Sequence, residues 1–215
     1  MNSNDKTILL NSLWAYISET RKKKMCAVVE NRTHYVTVVV EDVFQPHNAS
    51  AILRSCDIFG VQNVHIIENN YSFKPVKTIA MGSVKWLDIH KYSSIEQSIG
   101  YLKKAGYTMV ATTPHTTAYE LPSLPLDNKI AFMFGSEQTG LSELAMKHAD
   151  MAVKIPMYGF VESFNVSVSV ALCLYDTIMR LHRSSLPWQL SEEEKIELLL
   201  AWVKKVSKTA RALAE

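Results

Sequence analysis

IPMYGFVESFNVSVSVALCLYD, residues 155–176, is the stretch on which the fold turns. A strand at 151–155 runs into it and is stopped by Pro156, which has no N–H to give a sheet ladder. Gly159 lies in the turn that follows, where the backbone is expected to need positive φ. Ser163, Phe164 and Asn165 then lead into a long apolar helix at 166–181. Polar side chains and free N–H donors at a helix start suit a small ligand with carboxylate and hydroxyl groups. The same residues also serve as plain helix caps, and the choice rests on two stretches upstream.

Outward from this stretch, strands alternate with helices. YVTVVVE at 35–41 is a β-branched buried strand, 42–48 a loop, and 49–59 a helix closed by Gly60. A strand at 64–68, a loop at 69–85 and a short strand within 84–90 follow. A helix at 93–105 precedes a strand at 107–113, which stops before Pro114. A polar connection at 116–128 leads to the strand KIAFMF at 129–134, a loop at 135–140 and a short helix at 141–148. This alternation predicts an α/β fold, a mostly parallel three-layer sheet over residues 31–183. Ligands of such sheets bind beyond the carboxyl ends of the strands, where loops begin at Thr112, Gly135 and Pro156.

Helical extensions flank that domain at 1–30 and 184–215. The first reads as one amphipathic helix from Asp5 to about Lys24, ending in the cations Arg21, Lys22, Lys23 and Lys24. The second opens with a linker at 184–190 and a capping box, Ser191 with Glu194. Its helix has an apolar face of Ile196, Leu199, Trp202 or Val203, Val206 and Ala210, with Lys204, Lys205, Lys208 and Arg211 around it. Such basic clusters act as solvated ends or as phosphate contacts.

Composition narrows the classes. An apolar content of 47% in 215 residues excludes disorder as the main state, and a net charge of +2 selects no partner. The three cysteines are far apart, which suggests no zinc site and no disulfide framework and fits a reducing cytoplasm. No signal peptide is read at the start, and the longest apolar run, 166–175, is too short for a bilayer. A soluble cytoplasmic protein without membrane partners is expected.

No G-x-G-x-x-G follows the first strand, and GSEQTG at 135–140 lacks the Lys and Ser/Thr of a P-loop, since Leu141-Ser142 follow it. None of the seven histidines has a recognisable triad partner. Three polar insertions remain at the ends of apolar elements: Asn48 to Arg54 (NASAILR), Phe134 to Leu141 (FGSEQTGL) with Glu137, and the opening stretch. The six-residue step from Asn48 to Arg54 is nearly two helical turns, so both are expected to face one edge of the sheet.

In order and separation these three stretches resemble the motifs of the SPOUT superfamily of RNA methyltransferases, and within it the TrmH family of ribose 2′-O-methyltransferases. The resemblance covers about residues 35–176. It departs from the family at Phe164, where leucine is usual, and in a short C-terminal extension. It implies a SPOUT fold whose parallel sheet ends in a deep C-terminal trefoil knot, a topology that general rules count as rare. It also implies a homodimer, S-adenosylmethionine as methyl donor, and an active site completed across the subunit interface. The substrate implied is a D-loop guanosine of tRNA; alternatives are ribosomal RNA, or an inactive relative that only binds RNA. The donor pocket falls to Thr112, Gly135, Ile155, Met157 and Phe164, and the catalytic set to Arg54, Asn48, Glu137, Ser163 and Asn165, with no metal. For Arg54 two roles stay open: a base in an unusual neutral form, or a cation that binds phosphate and stabilises the forming alkoxide.

Overall fold

The computed structural model describes residues 2–114 and 118–213. The chain divides into two compact units, His34–Trp188 and a helical unit of Met1–Thr33 with Gln189–Glu215.

In the helical unit, the single helix expected near the start is two. α1 (Ser3–Leu13) and α2 (Glu19–Val29) are separated by a 3-10 turn at Trp14–Tyr16 and by extended backbone at Ile17 and Ser18. The break places Arg21 to Lys24 in the first half of α2, away from the favourable end of the dipole.

The second unit begins with β1 (Val36–Glu41) and α3 (Pro46–Ile58). Pro46 sits at the helix start, where its missing N–H costs nothing, so the helix opens earlier than expected and takes in Asn48. β2 (Asn63–Ile67) follows, and the stretch read as a loop contains α4 (Lys77–Ala80) and a 3-10 turn at Ser83–Lys85. β3 (Asp88–Tyr92), α5 (Ile95–Lys104) and β4 (Tyr107–Thr112) come next. Of the polar connection at 116–128, Thr116 and Thr117 lie outside the described residues, and the rest includes β5 (Tyr119–Glu120). β6 (Lys129–Phe134), α6 (Glu143–His148), β7 (Met151–Lys154) and α7 (Val166–His182) complete it.

Back in the helical unit, α8 (Glu192–Val206) starts with the expected capping box, Ser191 N–H donating to Glu194 Oε2 at 2.8 Å. It stops at Ser207, and α9 (Lys208–Leu213) carries the buried Ala210. α8 packs on α1 and α2, burying Leu198, Leu199, Leu200, Trp202 and Val203; the guanidinium of the buried Arg32 lies 5.4 Å from the Trp202 ring centre.

Among the described residues one parallel sheet forms, in the order β3-β2-β1-β6-β4-β7-β5. Alternation along the strands sends side chains to two cores. Val38, Val40, Phe132 and Phe134 pack on one face with Ile52, Leu53, Val170 and Leu174 of α3 and α7. Val39, Met109, Ala131 and Met133 pack on the other with Ile99, Leu102 and Ala145 of α5 and α6. The result is the three-layer architecture read from the sequence. No described helix is long and apolar enough to cross a membrane.

At the amino end of the sheet a cavity of about 330 Å³ is lined by residues that include His65, His90 and Tyr101. His65 and His90 are register partners on β2 and β3, and their rings stack at 4.8 Å and 13°. His65 is 1% exposed, and burial, with a smaller push from His90, lowers its pKa to about 3. A depressed histidine contributes stability that is complete above the unfolded pKa near 6.5 and is lost as pH falls towards the folded value. Between pH 7 and pH 5 His65 alone should therefore cost about 2 kcal/mol. Urea unfolding at the two pH values measures this, and His65→Phe should remove most of the difference. Equal pH dependence in both proteins would contradict a buried neutral imidazole.

Candidate active site

The three motif stretches meet at the carboxyl end of the sheet. A cavity of about 640 Å³ is lined there by the ends of β4, β6 and β7, the start of α3 and the approach to α7. Its walls include Asn48, Thr112, Gly135, Glu137, Ile155, Met157, Ser163, Phe164 and Asn165, which are all the expected site residues except Arg54.

Hydrogen bonds tie the three stretches together. The buried Asn48, in the first turn of α3, donates from Nδ2 to Glu137 Oε1 in the loop after β6, at 2.5 Å. Asn165 Nδ2 donates to Asn48 Oδ1 at 3.1 Å. Asn165 Oδ1 in turn accepts from the Ser167 N–H at 2.9 Å and its hydroxyl at 2.6 Å, capping α7. Asn165 therefore caps the helix and also belongs to the polar network. Ser163 lines the cavity but is not the cap.

The loop after β6 is closed by paired bonds between Ser136 and Gly140, N–H to carbonyl in both directions at 3.1 and 3.0 Å. Gly140 takes φ 69°, and the Ser136 hydroxyl accepts from the Thr139 N–H at 3.1 Å. Gly135 has no room for a side chain, since a Cβ there would lie 1.9 Å from the Gly140 carbonyl carbon and 2.1 Å from the Leu141 nitrogen. At the far end Ser142 starts α6, donating N–H and hydroxyl to the buried Glu41 carboxylate at 2.9 and 2.8 Å. Thr112 Oγ1 donates to the Met133 carbonyl at 2.8 Å, joining the ends of β4 and β6. Gly159 does not take positive φ; the turn is opened by Pro156 and lies exposed.

Arg54 sits apart. Six residues are about 600° of helix rotation, so Arg54 points some 120° away from Asn48 rather than towards the same edge. It is exposed, outside the cavity wall, and makes no hydrogen bond or ion pair among the described residues. It shares an outward stripe of α3 with His47 and Ile58. Sequence reasoning missed Gln45, Ser136, Thr139 and Ser167; the two glycines bracketing 135–140 were the available signal for the middle pair.

The lining suits a flat, partly apolar ligand with polar ends. Phe134, Leu141, Ile155 and Met157 supply apolar surface, and strand-end backbone and the asparagine network supply polar groups. The residues present thus fit a bound S-adenosylmethionine.

The model of the SpoU rRNA Methylase family matches residues 35–175. A tRNA (guanosine(18)-2'-O)-methyltransferase of Borreliella burgdorferi is 41% identical over 195 residues, covering 90% of this chain and 88% of that one. An enzyme of the same name from Thermus thermophilus is 35% identical over 159 residues, covering 74% and 82%. Among solved structures, the A. aeolicus TrmH/SpoU tRNA modifying enzyme superposes with a TM-score of 0.78 at 32% identity, over 86% of this chain and 95% of that one. The AviRb methyltransferase of Streptomyces viridochromogenes, solved with AdoMet, shares the fold at TM-score 0.66 and 20% identity, over 73% of this chain and 64% of that one. The chain belongs to the SpoU rRNA Methylase family, the TrmH group of SPOUT proteins that its three motifs resemble.

Proposed function

We propose that this chain transfers a methyl group from S-adenosylmethionine to the ribose 2′-hydroxyl of guanosine 18 in tRNA. The observation that carries the reading is the Glu137–Asn48–Asn165 network, which draws all three family motifs around one cavity. Likeness to relatives named for that reaction, at up to 41% identity over 90% of the chain, supports the substrate.

S-adenosylmethionine supplies an electrophilic methyl group on a sulfonium. Thr112, Gly135, Ile155, Met157 and Phe164 would hold it, with strand-end backbone at Ile155 and Met157 meeting the adenine edge. Asn48, Glu137 and Asn165 fix the three loops relative to one another, and Ser163, on the cavity wall, would hold the substrate. Holding the ribose oxygen in line with the methyl group accounts for much of the rate gain. Arg54, which has no ion-pair partner among the described residues, binds the neighbouring phosphate and stabilises the forming alkoxide; water or phosphate accepts the proton.

A homodimer follows from the same reading. α7 presents Val168, Tyr175 and Met179 to solvent, and Ile58 of α3 is exposed on the stripe that carries Arg54. Tyr158 is 96% exposed and Phe160 107%, in the loop that joins the cavity to α7. Apolar surface of this kind fits a second copy, whose approach brings Arg54 towards the neighbouring cavity. The family's trefoil knot belongs to the proposal too, supported by the sheet order, in which β6 lies between β1 and β4 and the chain returns through β7 to pack α7 on α3. The setting is the cytoplasm, where tRNA is found.

The test is incubation with labelled donor and either bulk tRNA or ribosomal RNA, followed by mapping of the methyl group. Label on the ribose of tRNA guanosine 18 is expected. Label confined to ribosomal RNA, or none despite RNA binding, would overturn the assignment in favour of a ribosomal enzyme or an inactive relative.

A further inference from the structure

Residues 69–87 belong to none of the three motifs and line no part of the cavity. They contain Lys74, Lys77 and Lys85 and no acidic residue, in a chain whose net charge is only +2. The segment is firmly built. Asp42, with left-handed backbone at φ 51°, accepts from the Asn70 N–H and side-chain amide at 2.8 Å each. Glu68 accepts from the Phe73 N–H at 2.7 Å, and the Ser50 hydroxyl of α3 from the Val76 N–H at 2.7 Å. Phe73 and Ala80 are buried as anchors, so the outward set of the three lysines is imposed by the frame.

Two aromatic rings belong to the same frame, since Asp42 also accepts from the Tyr71 N–H at 3.3 Å. Phe44 (54% exposed) and Tyr71 (41% exposed) meet edge to face at 4.9 Å and 65°. Phe44 immediately precedes Gln45, which lines the cavity, so the pair marks its margin. Ser50 lies about 40° around α3 from Arg54, so Val76 and Lys77 border the stripe that carries Arg54. Of the acids that border the segment, Glu68 is paired with Lys91 at 2.8 Å and Asp42 is bonded to Asn70.

We propose that this surface binds the RNA strand next to the target nucleotide, its bases stacking on Phe44 and Tyr71 and its phosphates lying on Lys74, Lys77 and Lys85. Two exposed rings and three exposed lysines, the lysines on a segment that itself carries no acid, match a single-stranded polyanion with planar bases. The inference rests on the RNA methyltransferase reading and adds where the substrate is gripped.

Two variants of the full chain test it, Phe44→Leu with Tyr71→Leu, and Lys74→Gln with Lys77→Gln and Lys85→Gln. All five side chains are exposed, and thermal melting checks that both variants fold. The ring variant should lose about tenfold or more in bulk tRNA affinity at constant salt. The lysine variant should flatten the salt dependence by roughly two to three units of slope. Both should raise KM for tRNA while leaving kcat at saturating tRNA and the affinity for S-adenosylhomocysteine unchanged. Unaltered tRNA affinity in the ring variant, or an unaltered slope in the lysine variant, overturns the surface. A wild-type protein that binds tRNA without methylating it overturns the proposed function, and the binding arms still judge the surface. A wild-type protein that binds no RNA overturns both.

Discussion

Gly135→Ala should abolish binding of S-adenosylhomocysteine, lowering affinity by about a hundredfold or more, roughly 3 kcal/mol. The added methyl would fall 1.9 Å from the carbonyl carbon of Gly140 and 2.1 Å from the nitrogen of Leu141. Both are backbone atoms, so no side chain can swing aside and the loop itself has to move. That loop carries Glu137 towards Asn48 and leads to Ser142, held on the buried Glu41, so displacement is transmitted to both ends of the cavity wall. Gly140→Ala is the comparison. It meets no atom within 4 Å, and only its positive φ opposes it, at about 1 kcal/mol, so affinity should fall by less than about tenfold. Titration calorimetry of both variants, with melting curves alongside, measures the contrast. Full affinity in Gly135→Ala would mean that the donor binds elsewhere.

Arg54→Ala should lower methyl transfer by about 10²- to 10³-fold, the range for losing one group that stabilises developing charge. Donor affinity should stay intact, because Arg54 is not part of the cavity wall. Arg54→Lys should fail nearly as badly, since a point charge does not replace a planar fork on phosphate. Arg54 also faces away from its own Asn48, which makes a subunit-mixing experiment decisive for where it acts. Dimers formed from one Arg54→Ala copy and one Gly135→Ala copy should recover activity if Arg54 serves the neighbouring cavity. Inactive mixed dimers would place Arg54 at its own site, and an active lysine variant would reduce its role to simple charge.

The sequence was informative where local chemistry decides the outcome. β6 falls on KIAFMF, the capping box forms at Ser191, and three loops named from apolar-to-polar transitions line one cavity. It was uninformative where the outcome depends on neighbours. Apolar spacing continues through Trp14 and Ile17, so nothing local announced the break between α1 and α2. β5 is two residues long and exists through its pairing with β7. Counting turns brought Asn48 and Arg54 to one edge, but the phase of the helix set them apart. The stack of His65 on His90 needed the register of β2 against β3, which no spacing along the chain reveals.

The single amide of Asn48 joins positions 89 and 117 residues away along the chain. Closing loops of that length is entropically costly, and the cost is met only after the sheet has brought the ends of β1, β6 and β7 together. The pocket is therefore among the last features to take shape as the protein folds, and during synthesis it cannot exist before Asn165 has been added. Affinity for the methyl donor would then serve as a reporter of completed folding.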